Sequence, residues 1–305
     1  MKKTAEILKP FREHIIILLA FVAISFLYFS PIFEGKQLRQ MDYEHALGMS
    51  KELVDFEKTH PGEYSLWTNS MFGGMPAYQI KSGPVNNIYL GLQRFFRFGM
   101  PYTTVAILFI LLAGFYLLLV SLKMDRWICI AGALGFAFAS YNIIIIAAGH
   151  ISKAYAIGYF PLVFAGIFMI FRGKPYVGAI ITAIALGIQI SCNHPQITYY
   201  LFLSVLVYLV FELIYAVRGK LMKEFIRALV FLGIAAVLAL LPNITSLWIT
   251  YEYGKDTIRG PSELVKDQPG TSGLDKDYAL AWSYGKSETF TLLVPNFKGG
   301  GSEGF

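Results

Sequence analysis

The chain has 305 residues, of which 55% are hydrophobic and only 15% charged, against about 25% charged residues in an ordinary soluble domain. That deficit excludes a soluble globular enzyme. The formal net charge of +6 looks like a nucleic-acid signal only until the Lys and Arg residues are placed, because many sit in short connections between apolar runs, where they direct membrane topology.

Seven apolar runs follow one another at about 14–33, 101–122, 127–147, 154–171, 176–192, 197–217 and 228–249, each near the roughly 20 residues that a spanning helix needs. They predict an all-α polytopic membrane protein. The first run follows Met1-Lys2-Lys3, ends at Ser30-Pro31 and lacks a small-x-small cleavage site, so it reads as a retained span rather than a signal peptide. Cys129 and Cys192 are too few for a disulfide framework and fall near opposite membrane faces; packing is the role expected of both.

The connections alternate in character. One set is basic: Lys123 and Arg126, Arg172 and Lys174, then Arg218, Lys220, Lys223 and Arg227, joined by Lys2, Lys3, Lys9 and Arg12 at the N-terminus. The other set, Gly149-His150-Ile151-Ser152-Lys153 and Asn193-His194-Pro195-Gln196, carries a single Lys. The positive-inside rule puts the N-terminus and the basic turns in the cytoplasm and the remaining turns outside. The long polar loop 34–100 and the tail from about 250 to 305 then also lie outside, and the functional groups concentrate on that face. The expected organisation is a transmembrane module over 1–249 and an extracytoplasmic segment over 250–305 that opens a further part of a longer protein.

Within the outer loop two amphipathic helices are predicted. From Asp42, the apolar Tyr43, Ala46, Leu47, Leu53 and Val54 follow a helical period with Glu44, Lys51, Glu52 and Asp55 interleaved. Later Ile88, Leu92, Phe95 and Phe96 fall on one side, with Arg94 and Arg97 on the other. Both helices suit the membrane interface. Between them, the stretch from Trp67 to Pro76 is rich in turn formers and reads as a structured loop.

Asp42 stands at the head of the first amphipathic helix. Taken alone it reads as a helix cap, a role compatible with that of a catalytic base because backbone donors would hold the carboxylate ionised. His150 and Lys153 share a helical face; His194 occupies the corresponding turn beside Asn193, Gln196 and Gln189. These are solvated turn residues or the lining of a substrate path. A metal site built from His150 and His194 lacks paired-ligand spacing. Arg39, Arg94, Arg97, Lys153 and Arg259 are outer-face cations able to meet a phosphate, although snorkelling from an interfacial helix explains Arg94 and Arg97 at least as well. Asn243-Ile244-Thr245 matches a glycosylation sequon but lies inside the seventh run.

The segments Gln40-Met41-Asp42, Leu66-Trp67 through Phe72-Gly73-Gly74-Met75-Pro76, Ala148 to Lys153, Asn193-His194-Pro195-Gln196, and Trp282-Ser283-Tyr284-Gly285 to Leu293-Val294-Pro295-Asn296 occur in an order that resembles the YfhO-type family of the GT-C superfamily, bacterial membrane glycosyltransferases. The resemblance covers essentially the whole chain. It implies a GT-C-like module of about seven transmembrane helices in the bacterial inner membrane, with the N-terminus cytoplasmic. It also implies inverting transfer of a sugar from a polyprenyl-phosphate donor to a cell-envelope polymer, lipid or protein acceptor, with no nucleic-acid partner. Asp42 would be the catalytic base, while His150, Lys153, His194, Arg94, Arg259, Trp67, Asn193 and Gln196 would bind donor phosphate or acceptor. Where many superfamily members carry paired acidic residues, Asp42 is followed by Tyr43 and Glu44, so a divalent metal cofactor is left open. The competing expectation is a non-catalytic membrane protein, a transporter or flippase component, in which the outer loop is a lid. The spans show no pair of Pro/Gly breaks in its favour.

Overall fold

A computed structural model describes residues 2–81, 87–98, 104–255, 257, 276–281, 283, 285–294 and 297–298, with the side chains of 2–11, 278–279 and 292 excepted. Helix α1 (Lys2–Tyr28) ends where a 3-10 turn over Ser30–Glu34 begins, with Pro31 inside it and Gly35 closing it in the left-handed region. Two short helices follow, α2 (Met41–Met49) and α3 (Lys51–Thr59), then a two-residue hairpin of β1 (Trp67–Thr68) and β2 (Met75–Pro76), antiparallel with Trp67 opposite Pro76. After α4 (Ile88–Phe96) come the long helices: α5 (Thr104–Ser121), α6 (Arg126–Ala137), α7 (Ser140–Ala148), α8 (Ile151–Phe171), α9 (Pro175–Ser191), α10 (Pro195–Gly219) and α11 (Met222–Leu240). A 3-10 turn at Leu241–Asn243 passes α11 into α12 (Ile244–Gly254).

The chain is an all-α polytopic membrane protein apart from that hairpin. Among the described residues four helices are long and apolar enough to cross a membrane: α5, α8, α10 and the run Met222–Gly254. A fifth is counted if α6 and α7 are one span bent by 44°, and α9, with 17 residues, is a shorter apolar helix. Large apolar side chains of α10 such as Phe202, Val207 and Phe211 are exposed, which suits a hydrocarbon solvent.

Three details differ from the expectations. The third span is not continuous: it bends around Phe138 and Ala139, and buried Asn142 donates its side-chain N–H to the Phe136 carbonyl at 2.7 Å, satisfying a group the break would orphan. The first amphipathic helix is two helices, because Ser50 turns its hydroxyl onto the Leu47 carbonyl and closes α2 before α3 begins. The boundary at 249 falls inside α12, so helix continues past it.

α8 forms the centre, between α5 and α9. Where lipid removes the hydrophobic drive between helices, close approach must come from small residues. Gly114 of α5 meets Gly158 of α8 so closely that a Cβ on Gly114 would lie 2.5 Å from the Gly158 carbonyl oxygen; Gly166 and Gly178 bring α8 and α9 together in the same way. At the basic end, Arg126 pairs with Glu13 at 3.4 Å and His14 shares a 2.7 Å hydrogen bond with Tyr116. The start of α1 and the α5–α6 turn are therefore on one side, and the α7–α8 and α9–α10 turns on the other.

α4 lies against α9 rather than loosely in an interface. Its buried face carries Tyr89 and Gln93, whereas Ile88 and Phe95 are exposed. The apolar stripe read from the sequence is therefore split. Tyr89 covers Gly187, where a Cβ would fall 2.2 Å from its ring, and donates its hydroxyl to Leu238 at 2.9 Å. Asn87 caps α4 through the Tyr89 N–H and donates to Asn243, whose own amide is spent on the Gly187 and Ala239 carbonyls. The sequon asparagine is thus a buried staple.

Candidate functional site

α7 ends because Gly149 adopts φ +93, a left-handed conformation few side chains tolerate. The chain turns sharply into α8 with His150 as its N-cap residue. Gly149 also lets the start of α2 approach: its missing Cβ would stand 2.9 Å from Gln40 Cβ and 3.5 Å from Asp42 Cβ. Gln40, buried and extended, is the N-cap of α2 and donates its side-chain amide to the Ile146 carbonyl at 2.5 Å. These two residues lock the outer loop onto the α7–α8 corner.

Asp42 then meets His150, with Oδ2 2.8 Å from Nδ1. Both side chains are about half exposed. The cap reading of Asp42 is corrected: it is the second residue of α2, the cap position belongs to Gln40, and no side-chain cap is made. An Asp that accepts the Nδ1 proton fixes the imidazole tautomer and keeps its second carboxylate oxygen for another partner.

His194, the N-cap residue of α10, lies close to His150 and Lys153. Burial first, then Lys153, then His150 push its pKa below the usual histidine value, so the ring is neutral near pH 7. Its buried Nδ1 has no hydrogen-bond partner among the described residues. Lys153 lies over the Tyr141 ring at 5.2 Å. It stands with Gln196, Tyr200, Phe160 and Phe164 around a cavity of about 550 Å³ whose walls are mostly apolar. Gln196 donates to the Tyr200 hydroxyl at 2.8 Å, and Asn193 sits exposed in a left-handed turn at φ 54. A second cavity of about 540 Å³, lined by Gln40, Tyr43, Lys36 and Arg39, flanks α2.

The remaining expected residues are not gathered there. Trp67 is in the hairpin, its ring covering Gly74, with no hydrogen bond or ring contact to the Asp42–His150 pair among the described residues. Arg94 is exposed at the end of α4 without an ion pair among the described residues, and Arg39 is paired with Glu44 at 3.1 Å. Arg259 lies outside the described residues. None of the three cavities described is lined by Asp42, His150, His194 and Trp67 together. No group of three or more His, Cys, Asp or Glu placed to hold a metal occurs among the described residues.

Arg97 turns inward, contrary to the snorkelling picture. Its guanidinium lies 5.0 Å from the Tyr155 ring centre and donates to Gln93, which in turn donates to Cys192 Sγ at 3.3 Å. The positioning roles of Gln40 and Gly149 were equally unassigned, although each stands beside a residue that the sequence singled out.

No protein-family model matches the chain, and no curated protein or solved structure matches it either.

Proposed function

We propose that the chain is a GT-C-type membrane glycosyltransferase built on about seven spans of the bacterial inner membrane, moving a sugar from a polyprenyl-phosphate donor to a cell-envelope acceptor on the outer face. The observation that carries this reading is the Asp42–His150 contact beside Lys153 and His194. Asp42 is the base: it takes the proton of an acceptor hydroxyl as that oxygen attacks the sugar carbon from the side opposite the phosphate, and the carbon–oxygen bond to phosphate breaks with its electron pair leaving on the phosphate. A carboxylate serves such a reaction because the hydroxyl proton becomes acidic as the new bond forms. His150 holds one oxygen of the base in place. Lys153, at the rim of an apolar cavity, suits a phosphate whose prenyl chain runs along the walls, and a fixed cation there stabilises the leaving charge. His194, Asn193 and Gln196 are left to orient donor or acceptor.

The test is turnover of the full-length protein in vesicles with a panel of polyprenyl-phosphate sugars, with and without divalent metal. Asp42→Asn is expected to insert normally and lose about 10²–10⁴-fold in rate. Undiminished transfer by that variant removes the assignment. Two features favour a transport reading, the broken α6–α7 span and the failure of Asp42, His150, His194 and Trp67 to line any one of the three cavities described; substrate crossing the vesicle wall with no new glycosidic bond would establish it.

A further inference from the structure

On the face of α8 opposite the Lys153 cavity, α5 and α9 wall a second groove of about 640 Å³. At 100° per residue, Lys153, Ile157 and Phe164 lie on one side of α8, and Tyr159, Leu162, Ala165 and Met169 on the other. The floor is apolar, and Phe96 of α4 closes one end, where the buried Tyr159 hydroxyl has no hydrogen-bond partner among the described residues. At the other end stand Lys123, Arg172 and Lys174, all exposed, from the α5–α6 and α8–α9 turns. The lining contains no Asp or Glu.

We infer that this groove binds an anionic phospholipid of the leaflet on the basic side, with its phosphate among Lys123, Arg172 and Lys174 and one acyl chain on the α8 floor. Length and charge carry the argument. From Lys123 to Phe109 the groove follows α5 for about 20 Å, enough to pass the middle of a hydrocarbon core about 30 Å thick. That matches one chain of a single-leaflet lipid with its headgroup at the surface. The apolar floor suits an acyl chain, which can make dispersion contacts along it, better than it suits water. Three cations from two different turns at one mouth repel each other and a choline or ammonium headgroup, and attract a net negative one. The inference does not rest on the glycosyltransferase reading, since the cationic mouth of the groove is at the opposite end from Asp42 and no residue of its lining is among those assigned to sugar transfer.

The experiment takes the full chain, stripped of lipid in detergent, and adds phosphatidylglycerol, phosphatidylcholine or inorganic phosphate. Lipid retained is counted by native mass spectrometry, and the thermal unfolding midpoint is recorded. Phosphatidylglycerol is expected to be retained and to raise the midpoint above either alternative. Lys123→Gln, Arg172→Gln and Lys174→Gln should weaken its retention by roughly fivefold per cation removed. Ile184→Trp, at a rim position 40% exposed, keeps all three charges, fills the groove and should abolish retention; it also serves if the charge variants insert poorly. Equal retention of the two lipids overturns the inference, as do an equal effect of inorganic phosphate, a lipid-excluding dimer, or full retention by Ile184→Trp.

Discussion

Asp42 acquires its partner through two residues that carry no charge. Gln40 ties the head of α2 to the last turn of α7, and Gly149 leaves the space in which the two elements meet. A Cβ at Gly149 would be 3.1 Å from the Tyr43 nitrogen as well as crowding Gln40, in a backbone conformation that costs an L residue about 1–2 kcal/mol. Gly149→Ala should therefore lower the unfolding free energy by about that amount and, if the chain is the proposed glycosyltransferase, reduce sugar transfer at least as much as His150→Gln does, because crowding at this corner would lengthen the 2.8 Å Asp42–His150 contact. A thermal melt and a rate assay on the same preparation check this; a variant with both values unchanged would show that the corner does not depend on close approach. Asp42 was legible at the head of an amphipathic helix, and His150, Lys153 and His194 in the turns between apolar runs. Which of them touch was not, because Asp42 and His150 are far apart in the chain and nothing local couples them.

At the scale of elements, the outer loop is held by a carboxylate that the sequence marks only as the polar side of a helix. Glu52 of α3 accepts from the Thr68 hydroxyl and from the backbone N–H groups of Asn69 and Ser70, each at 3.0 Å. The Thr68 hydroxyl, followed by the Ser70 amide, holds the Glu52 carboxyl below its ordinary value. A carboxyl depressed in the folded state contributes its full stabilisation above its unfolded value, about 4.3, and loses it as pH falls through the lower folded value. Hydrogen-exchange protection of the Asn69 and Ser70 amides should accordingly be flat from neutral pH to about 4.3 and decline below it. In Glu52→Gln it should be low at every pH. The helical period also predicted α4, but it assigned the wrong contacts: Tyr89 and Gln93 are buried by hydrogen bonds and a ring seated on Gly187, while Phe95 stays outside. Polar anchoring decided that face, and hydrophobicity alone does not report it.

In the whole molecule, α8 separates two grooves whose cations stand at opposite ends, Lys153 at the non-basic end of one and Lys123, Arg172 and Lys174 at the basic end of the other. Their placement makes the expected topology testable. With Cys129 and Cys192 replaced, Ser152→Cys should react with a membrane-impermeant maleimide added to intact cells, and Gly173→Cys should react only after lysis; the reverse pattern would invert the orientation. The sequence by itself determined that the chain is helical and membrane-embedded, and that its basic turns alternate with turns almost free of charge. Those properties are sums over local runs, in which each apolar residue counts toward a span and each charge is excluded from one. Only the tertiary structure decided that Asp42 faces His150, that Arg97 turns inward, that the third span bends and where the grooves run. In lipid, an apolar residue facing a neighbouring helix and one facing an acyl chain look alike in the sequence. Small residues such as Gly114, Gly158 and Gly149, together with a few buried amides, choose between them.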